Sequence, residues 1–519
     1  MIQFETDKSE KGFDCRQLNK LGVPVKQLVT DSRLVHPGDT FLAVAGTRVD
    51  ARKLIPQAIA SGVNGIIWET GNFSWNPAWK VPALAIAGLK DKAGYIADCV
   101  YGHPSGKLNV VGFTGTNGKT SCSHWFAQAM NVMQKKTAIM GTLGNGFVNE
   151  LESTINTTPD PVLIQKNLAK YLKKSAKHVA MEVSSHGIEQ GRLNGTELSV
   201  AVLTNLSRDH LDYHENMDAY AASKARLFFW PGLKCAVLNL DDVLGVELSR
   251  QLASKPVRVI GYGLRKDEME SHAGRIRDMV YGCNLQVDLQ GLSLEIEYQG
   301  EREILKVDLL GKFNAINLLA VIAALLASGI AFSDAVNALR RVSSIPGRME
   351  KFGGGKLPTV IVDYAHTPDA LEKVLSTLRE ILHAAPFKSK RTKKAGSLFC
   401  VVGCGGERDQ GKRRLIGEVA ARIADEVIFT SDNPRTEDPR KIILDMMGAM
   451  DISSQQMEIN RELAIYQAIR SASAGDVVLI AGKGHEAYQE INGQKIPFSD
   501  ALIVEQVLNG LSSKKRGRA

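Results

Sequence analysis

Along the chain, short runs of apolar and β-branched residues ending in Gly, Asp or Asn alternate with stretches whose apolar positions recur at helical spacing. Continuous apolar runs bounded in this way are the pattern of strands buried on both faces of a parallel sheet, each followed by a crossover helix. Leu108 to Phe113, Val179 to Val183, Val200 to Asn205, Val360 to Val362, Phe399 to Val402 and Val427 to Ser431 are the clearest examples. The fold class is therefore α/β. His103-Pro104-Ser105-Gly106-Lys107 and Ser343-Ser344-Ile345-Pro346-Gly347 punctuate the alternation and divide it into three units, 1–107, 108–344 and 345–519. That division suits 519 residues, too many for one core when a domain takes roughly 150. No repeat of fixed period is visible.

Composition adds little: 44% apolar and 23% charged residues are ordinary for a globular chain. A net charge of +8 is mild and suits anionic substrates. Basic residues do cluster at Lys388, Lys390, Arg391, Lys393 and Lys394 and in the tail at Lys514, Lys515, Arg516 and Arg518. Without interleaved aromatic residues to stack on bases, these read as a solvated loop and a frayed tail, and no nucleic-acid partner is expected. Seven scattered cysteines lack the density of a disulfide framework and fit a reducing compartment. Cys400 and Cys404 have no second pair at zinc spacing, so no structural zinc is expected. The first residues lack a signal peptide's basic start and apolar run, and no apolar stretch reaches roughly 18 residues. A cytoplasmic monomer acting on small molecules, without a membrane, is the expectation.

The strand pattern Leu108 to Phe113 leads into Thr114-Gly115-Thr116-Asn117-Gly118-Lys119-Thr120-Ser121 and then into a helical pattern carrying Phe126, Met130 and Met133 on one face. Strand, glycine loop and helix together form a phosphate cradle. Glycines let backbone N–H groups and the helix N-terminus face phosphate oxygens, Lys119 adds a cation, and Thr120 offers a hydroxyl to Mg²⁺. Phe113 stands where a full Walker A has its first glycine, so the motif is the shortened Gly-x-x-Gly-Lys-Thr.

This short loop resembles that of the Mur ligase family, which carries Gly-Thr-Asn-Gly-Lys-Thr at the start of its central domain. The resemblance implies a three-domain architecture with a central P-loop-type ATPase domain and a Rossmann-like C-terminal domain. It also implies ATP as co-substrate, bound by Gly115, Thr116, Asn117, Gly118, Lys119, Thr120 and Ser121. Glu182, at the end of a strand pattern and ahead of Ser184-Ser185-His186-Gly187, matches the family's metal-binding segment. A carboxylate there suits Mg²⁺, which prefers hard oxygen ligands and needs few from protein. His210, in Leu206-Ser207-Arg208-Asp209-His210, matches the second metal ligand. Lys224 matches the lysine that the family carbamylates, which places a carbamate beside the metal. A plain lysine on a helix looks the same in sequence, and carbamylation requires a neutral amine. Lys119, Glu182, His210 and Lys224 are thus the implied catalytic set, with Thr120 also on the metal. Asn314, Arg348 and Asp363 match nucleotide contacts.

In the third unit, polar loops follow three strand patterns and should gather at the carboxyl edge of a parallel sheet. Asp432-Asn433-Pro434-Arg435 resembles the signature of the members that add meso-diaminopimelate rather than L-lysine. An arginine fork suits the distal carboxylate that lysine lacks. Arg408, Gly482 and Glu486 match further diaminopimelate contacts. In the first two units, Thr30, Ser32, Asn156, Thr157, Thr158, Ser184, Gln190 and Arg192 match contacts to a UDP-sugar-peptide. The implied reaction joins meso-2,6-diaminopimelate to the D-glutamate γ-carboxylate of UDP-N-acetylmuramoyl-L-alanyl-D-glutamate through an acyl phosphate, in peptidoglycan precursor synthesis. Rival readings are a lysine-adding relative, a folate-type glutamyl ligase, a kinase, and a nucleotide-regulated nucleic-acid binder that would show salt-sensitive binding.

Overall fold

The computed structural model describes residues 12–46, 49–209, 211–267, 276, 278–384, 396–448 and 455–516. Three largely parallel sheets carry the chain, as the alternation of strand and helix patterns requires. The first is a parallel sheet in the order Leu28–Val29, Thr40–Ala43, Gly65–Glu69, Ala83–Ile86. One of its faces packs Leu42, Ile67 and Ile86 against Leu89, Ala93 and Ile96 of the helix Leu89–Tyr101. Phe41 and Ile66, on the other, meet Ile55 and a satellite of Trp68, Phe73, Trp75 and Trp79.

In the second sheet seven strands run parallel in the order Asp278–Asp288, Arg258–Gly263, Cys235–Asn239, Val200–Leu203, Asn109–Thr114, His178–Glu182, Thr137–Gly141. Gly144–Phe147 and Glu150–Glu152 extend it antiparallel. Its central strands are buried residue after residue, which is why they read as unbroken apolar runs rather than alternating ones. The third sheet runs Glu350–Gly353, Thr359–Asp363, Val477–Ala481, Leu398–Val402, Glu426–Phe429, Gln455–Met457, parallel except for its first strand. Two apolar layers sandwich it: Leu371, Leu375, Leu378, Ile416 and Phe429 on one side, Ile465, Ile469, Val504 and Leu508 on the other.

Two compact units result: residues 1–282, 296–303 and 317–339 form one, and residues 283–295, 304–316 and 340–519 form the other. The second unit's core accordingly includes Leu310, with Val287, Leu289 and Phe313 packed against it.

Cys15 and Cys99, 84 residues apart, form a disulfide joining the 3-10 helix Cys15–Leu21 to the helix Leu89–Tyr101. Packing of Leu21 against Leu89 and Ala93 brings the two sulfurs together, a long-range contact that a cysteine count cannot show. Cys122, Cys235, Cys283, Cys400 and Cys404 are free.

Candidate active site

The phosphate loop leaves the strand Asn109–Thr114 and enters the helix Lys119–Val132. Gly115 and Gly118 adopt φ of +148° and +85°, and a Cβ on them would lie 1.9 Å from Thr204 Oγ1 and 2.4 Å from Asn317 Oδ1, so both positions require glycine. The loop is braced from outside. Thr116 N donates to Asn205 O, Asn117 N to Asn205 Oδ1 at 3.0 Å, and Thr116 Oγ1 donates to Ser207 O at 3.1 Å. Lys119 Nζ folds back to donate to Gly115 O and Thr116 O at 2.8 and 2.9 Å, within reach of any anion in the cradle. Ser121 is buried in the first helical turn.

Glu182 ends the strand beside the loop and is fully buried. Its Oε2 accepts from Thr120 Oγ1 at 2.9 Å and Thr142 Oγ1 at 3.1 Å, while Oε1 accepts from Thr142 N at 2.8 Å. A hydroxyl and a carboxylate, both hard oxygen donors, therefore meet at the phosphate cradle, the chemistry that a magnesium ion needs. Lys224, on the helix Met217–Ala225, is 1% exposed and donates from Nζ to Gly115 O at 2.9 Å, with its ammonium 4.3 Å from the centre of the Tyr220 ring. Burial holds this lysine well below the usual range, Lys119 lowers it further, and Asp209 opposes both.

From Glu182 a second network reaches toward the expected sugar-peptide contacts. Thr158 Oγ1 bonds to Glu182 O and Ser184 Oγ, both at 3.0 Å, and Thr157 Oγ1 lies 3.1 Å from Thr142 Oγ1. Ser184 caps the short helix Ser185–Glu189 by accepting from Gly187 N. Arg192 donates to Gln190 Oε1 through Nε and Nη2 and to Thr158 O through Nη1 at 2.6 Å. Thr157, Thr158, Ser184, Gln190 and Arg192 thus form one interlocked patch, next to which Asn156 is exposed. Ser32 is buried and donates to Gln57 Oε1 at 2.9 Å, and Thr30 lies just ahead of it at the end of the first strand.

In the second unit the loops after four parallel strands gather at one sheet edge. Asp363 ends one strand, accepting from Met349 N and Ala365 N at 2.7 and 2.8 Å, and Arg348 stacks 4.8 Å from the centre of the Tyr364 ring. Asn314 uses Nδ2 on Leu310 O at 2.8 Å. Gly406 N donates to Asn433 O, and a Cβ on Gly405 would touch both Arg435 and Arg408, so the two arginines converge there. Gly482 brings its backbone against Asp432, whose Oδ2 would lie 2.8 Å from a Cβ. Arg435, just after Pro434, stands at φ +53°, a conformation that costs a non-glycine residue on the order of 1 kcal/mol. Its N–H donates to Glu490 O, its O accepts from Asn492 N, and Nη1 donates to Gly406 O at 2.6 Å, so its guanidinium is fixed. Burial raises the Asp432 carboxyl, against Lys483 and Arg461, which lower it.

Family models match along the chain: the Mur ligase middle domain over residues 113–325, and the Mur ligase glutamate ligase domain over residues 347–484. A relative from Nitrosomonas europaea named UDP-N-acetylmuramoyl-L-alanyl-D-glutamate–2,6-diaminopimelate ligase is 55% identical over 513 residues, 99% of this chain and 98% of its own. The chain belongs to the Mur ligase family. A like-named ligase from Chromobacterium violaceum is 47% identical over 96% of this Mur ligase and 97% of its own length. A solved structure of the same name is 35% identical with a TM-score of 0.67, covering 94% of this chain and 96% of that one. The fold is shared more widely: MurF ligase from Thermotoga maritima, solved in complex with ADP, superposes with a TM-score of 0.60 at 18% identity, over 95% and 99% of the chains.

Several residues that brace the Mur ligase site escaped the sequence reading: Thr142, Tyr220, Lys483 and the Arg461–Asp500 pair. None stands in a motif that marks its role, since each acts through partners distant in sequence. His210 and the basic loop 388–394 lie outside the described residues.

Proposed function

We propose that this Mur ligase joins meso-2,6-diaminopimelate to the D-glutamate γ-carboxylate of UDP-N-acetylmuramoyl-L-alanyl-D-glutamate with hydrolysis of ATP to ADP and phosphate. The observation that carries the specificity is the Arg435 guanidinium, held by Gly406 O and 3.3 Å from Glu490 Oε2, at the same sheet edge as Glu486, which Asn433 Nδ2 holds by Oε2: a cation and an anion suited to a zwitterionic side-chain terminus. The γ-phosphoryl passes to the glutamate carboxylate, giving an acyl phosphate; the diaminopimelate amine attacks its carbonyl; and the tetrahedral intermediate expels phosphate, leaving the amide. Lys119 and the amides at the start of Lys119–Val132 stabilise the transferring phosphoryl group. Thr120 and Glu182 are the residues that would hold Mg²⁺, with His210 and a carbamylated Lys224 completing the set; bound there, the ion neutralises phosphate charge. Thr158, Ser184 and Arg192 orient the peptide, Arg192 toward its anionic groups. Among the described residues no helix is long and apolar enough to cross a membrane.

Phosphate release with ATP, Mg²⁺ and the UDP-muramoyl-dipeptide tests the reading. Release with meso-diaminopimelate but not L-lysine is expected; release with lysine moves the specificity, and silence with both sinks the ligase assignment. Arg435→Ala should raise the KM for diaminopimelate roughly 10- to 100-fold, the worth of a charged hydrogen-bonded contact, with the KM for ATP unchanged. Equal losses for both substrates would remove Arg435 from the amino-acid site.

The buried, weakly basic Lys224 supports carbamylation, because the neutral amine is the form that adds CO₂ with loss of a proton. In ¹³C-bicarbonate the protein should show a carbamate carbonyl resonance that Lys224→Ala lacks. No such resonance at saturating bicarbonate would leave Lys224 as a hydrogen-bond donor to Gly115 O.

A further inference from the structure

Behind Glu486 and Asn433 lies a lysine with no solvent exposure at all, Lys483. It sits in the loop after the strand Val477–Ala481 and donates from Nζ to Glu486 Oε2 at 2.9 Å and to Asn433 Oδ1 at 3.1 Å. Asn433 Nδ2 donates to the same Glu486 Oε2 at 2.9 Å, and Asn433 Oδ1 also accepts from Glu490 N at 2.9 Å. One carboxylate oxygen of Glu486 is thereby occupied twice. The other, Oε1, accepts no hydrogen bond among the described residues, on a side chain 22% exposed. An ammonium buried among Asp432, Asn433 and Glu486 also sets the charge of the pocket. Burial alone would raise Glu486, but Lys483's charge and hydrogen bond, with that of Asn433, bring it below the usual carboxylate range.

We propose that Lys483 is a specificity-determining positioning residue: by engaging Glu486 Oε2 and Asn433 Oδ1 it presents Glu486 Oε1 as the acceptor for the substrate's distal ammonium. Arginine alone would take any amino acid with a distal carboxylate. The pinned Glu486 adds the requirement for an ammonium beside it, distinguishing diaminopimelate from its analogue 2-aminopimelate, which lacks that group. Lys483 itself stays in the protein's interior. The inference rests on the proposed amino-acid substrate.

The experiment measures KM for meso-diaminopimelate, 2-aminopimelate, ATP and the UDP-muramoyl-dipeptide in wild-type protein and in Lys483→Gln, across pH 5 to 8. Lys483→Gln should raise the KM for diaminopimelate roughly tenfold or more and lower the preference over 2-aminopimelate by about as much, with the other two KM values within about twofold. Without the lysine, Glu486 protonates more readily, so the variant's KM for diaminopimelate should climb as pH falls, where the wild-type value stays flatter. A uniform rise in all KM values, or a loss of kcat alone, would make Lys483 a packing residue and overturn the inference. Wild-type protein that does not ligate diaminopimelate would overturn the substrate reading itself. Should Lys483→Gln melt below the assay temperature, Lys483→Met keeps most of the stem and removes only the donor, leaving Glu486 in place. The same fall in preference over 2-aminopimelate is expected in that background, and retention of the wild-type ratio would overturn the proposal.

Discussion

Replacing Lys119 with methionine is expected to lower ATP-dependent ligation by roughly three orders of magnitude, the cost of removing one preorganised charge from a developing phosphoryl transition state. The fold should persist, because Nζ bonds to carbonyls of the same loop, Gly115 O and Thr116 O, while the loop is braced separately through Asn205 and Ser207. Methionine keeps the length of the stem and removes only the cation. Phosphate release reads the effect and thermal melting checks the fold. A loss below tenfold in well-folded protein would mean that the cradle stabilises the phosphoryl group without its lysine.

Arg461→Met should have the largest effect on stability, about 3–5 kcal/mol in the second unit, because it leaves a buried carboxylate unpaired. Arg461 and Asp500 have 0% side-chain exposure and pair through Nε to Oδ1 at 2.8 Å and Nη2 to Oδ2 at 2.7 Å. The same guanidinium donates to Ala481 O at 3.0 Å and Ser431 O at 3.4 Å, the residues immediately before Gly482 and Asp432. The pair therefore ties together the two strand ends on which the proposed amino-acid site stands. Denaturant unfolding of Arg461→Met, Asp500→Leu and the double variant forms the cycle, and the double variant should recover much of the loss because no lone charge remains. A single-variant cost under about 1 kcal/mol would show that water reaches Asp500 once the arginine is gone.

Sheet class and phosphate loop were legible because both are local. Buried parallel strands write themselves as unbroken apolar runs, and Gly115, Gly118 and Lys119 follow one another within a single turn. Glu182 was legible as a polar residue ending such a run. Thr142 was not: it satisfies both Glu182 oxygens from a neighbouring strand end, and nothing at position 142 announces the partner 40 residues away. Lys483 and Arg461 escaped for the same reason, since their role lies in which distant carboxylates and carbonyls they reach. The Cys15–Cys99 bond likewise depends on two helices meeting on one face of the first sheet. Asn314, expected from the resemblance as a nucleotide contact, donates from Nδ2 to Leu310 O, a local bond that the sequence alone does not show.

The interleaving of the two units has a consequence for how the polypeptide comes off the ribosome. Residues 283–295 and 304–316 belong to the second unit yet emerge before residues 317–339, which complete the first. Val287, Leu289, Leu310 and Phe313 are thus translated ahead of the core that will bury them. No single proteolytic cut releases either unit whole, and a fragment beginning at residue 345 lacks all four of these apolar side chains. The two units share one folding history even though each has its own core.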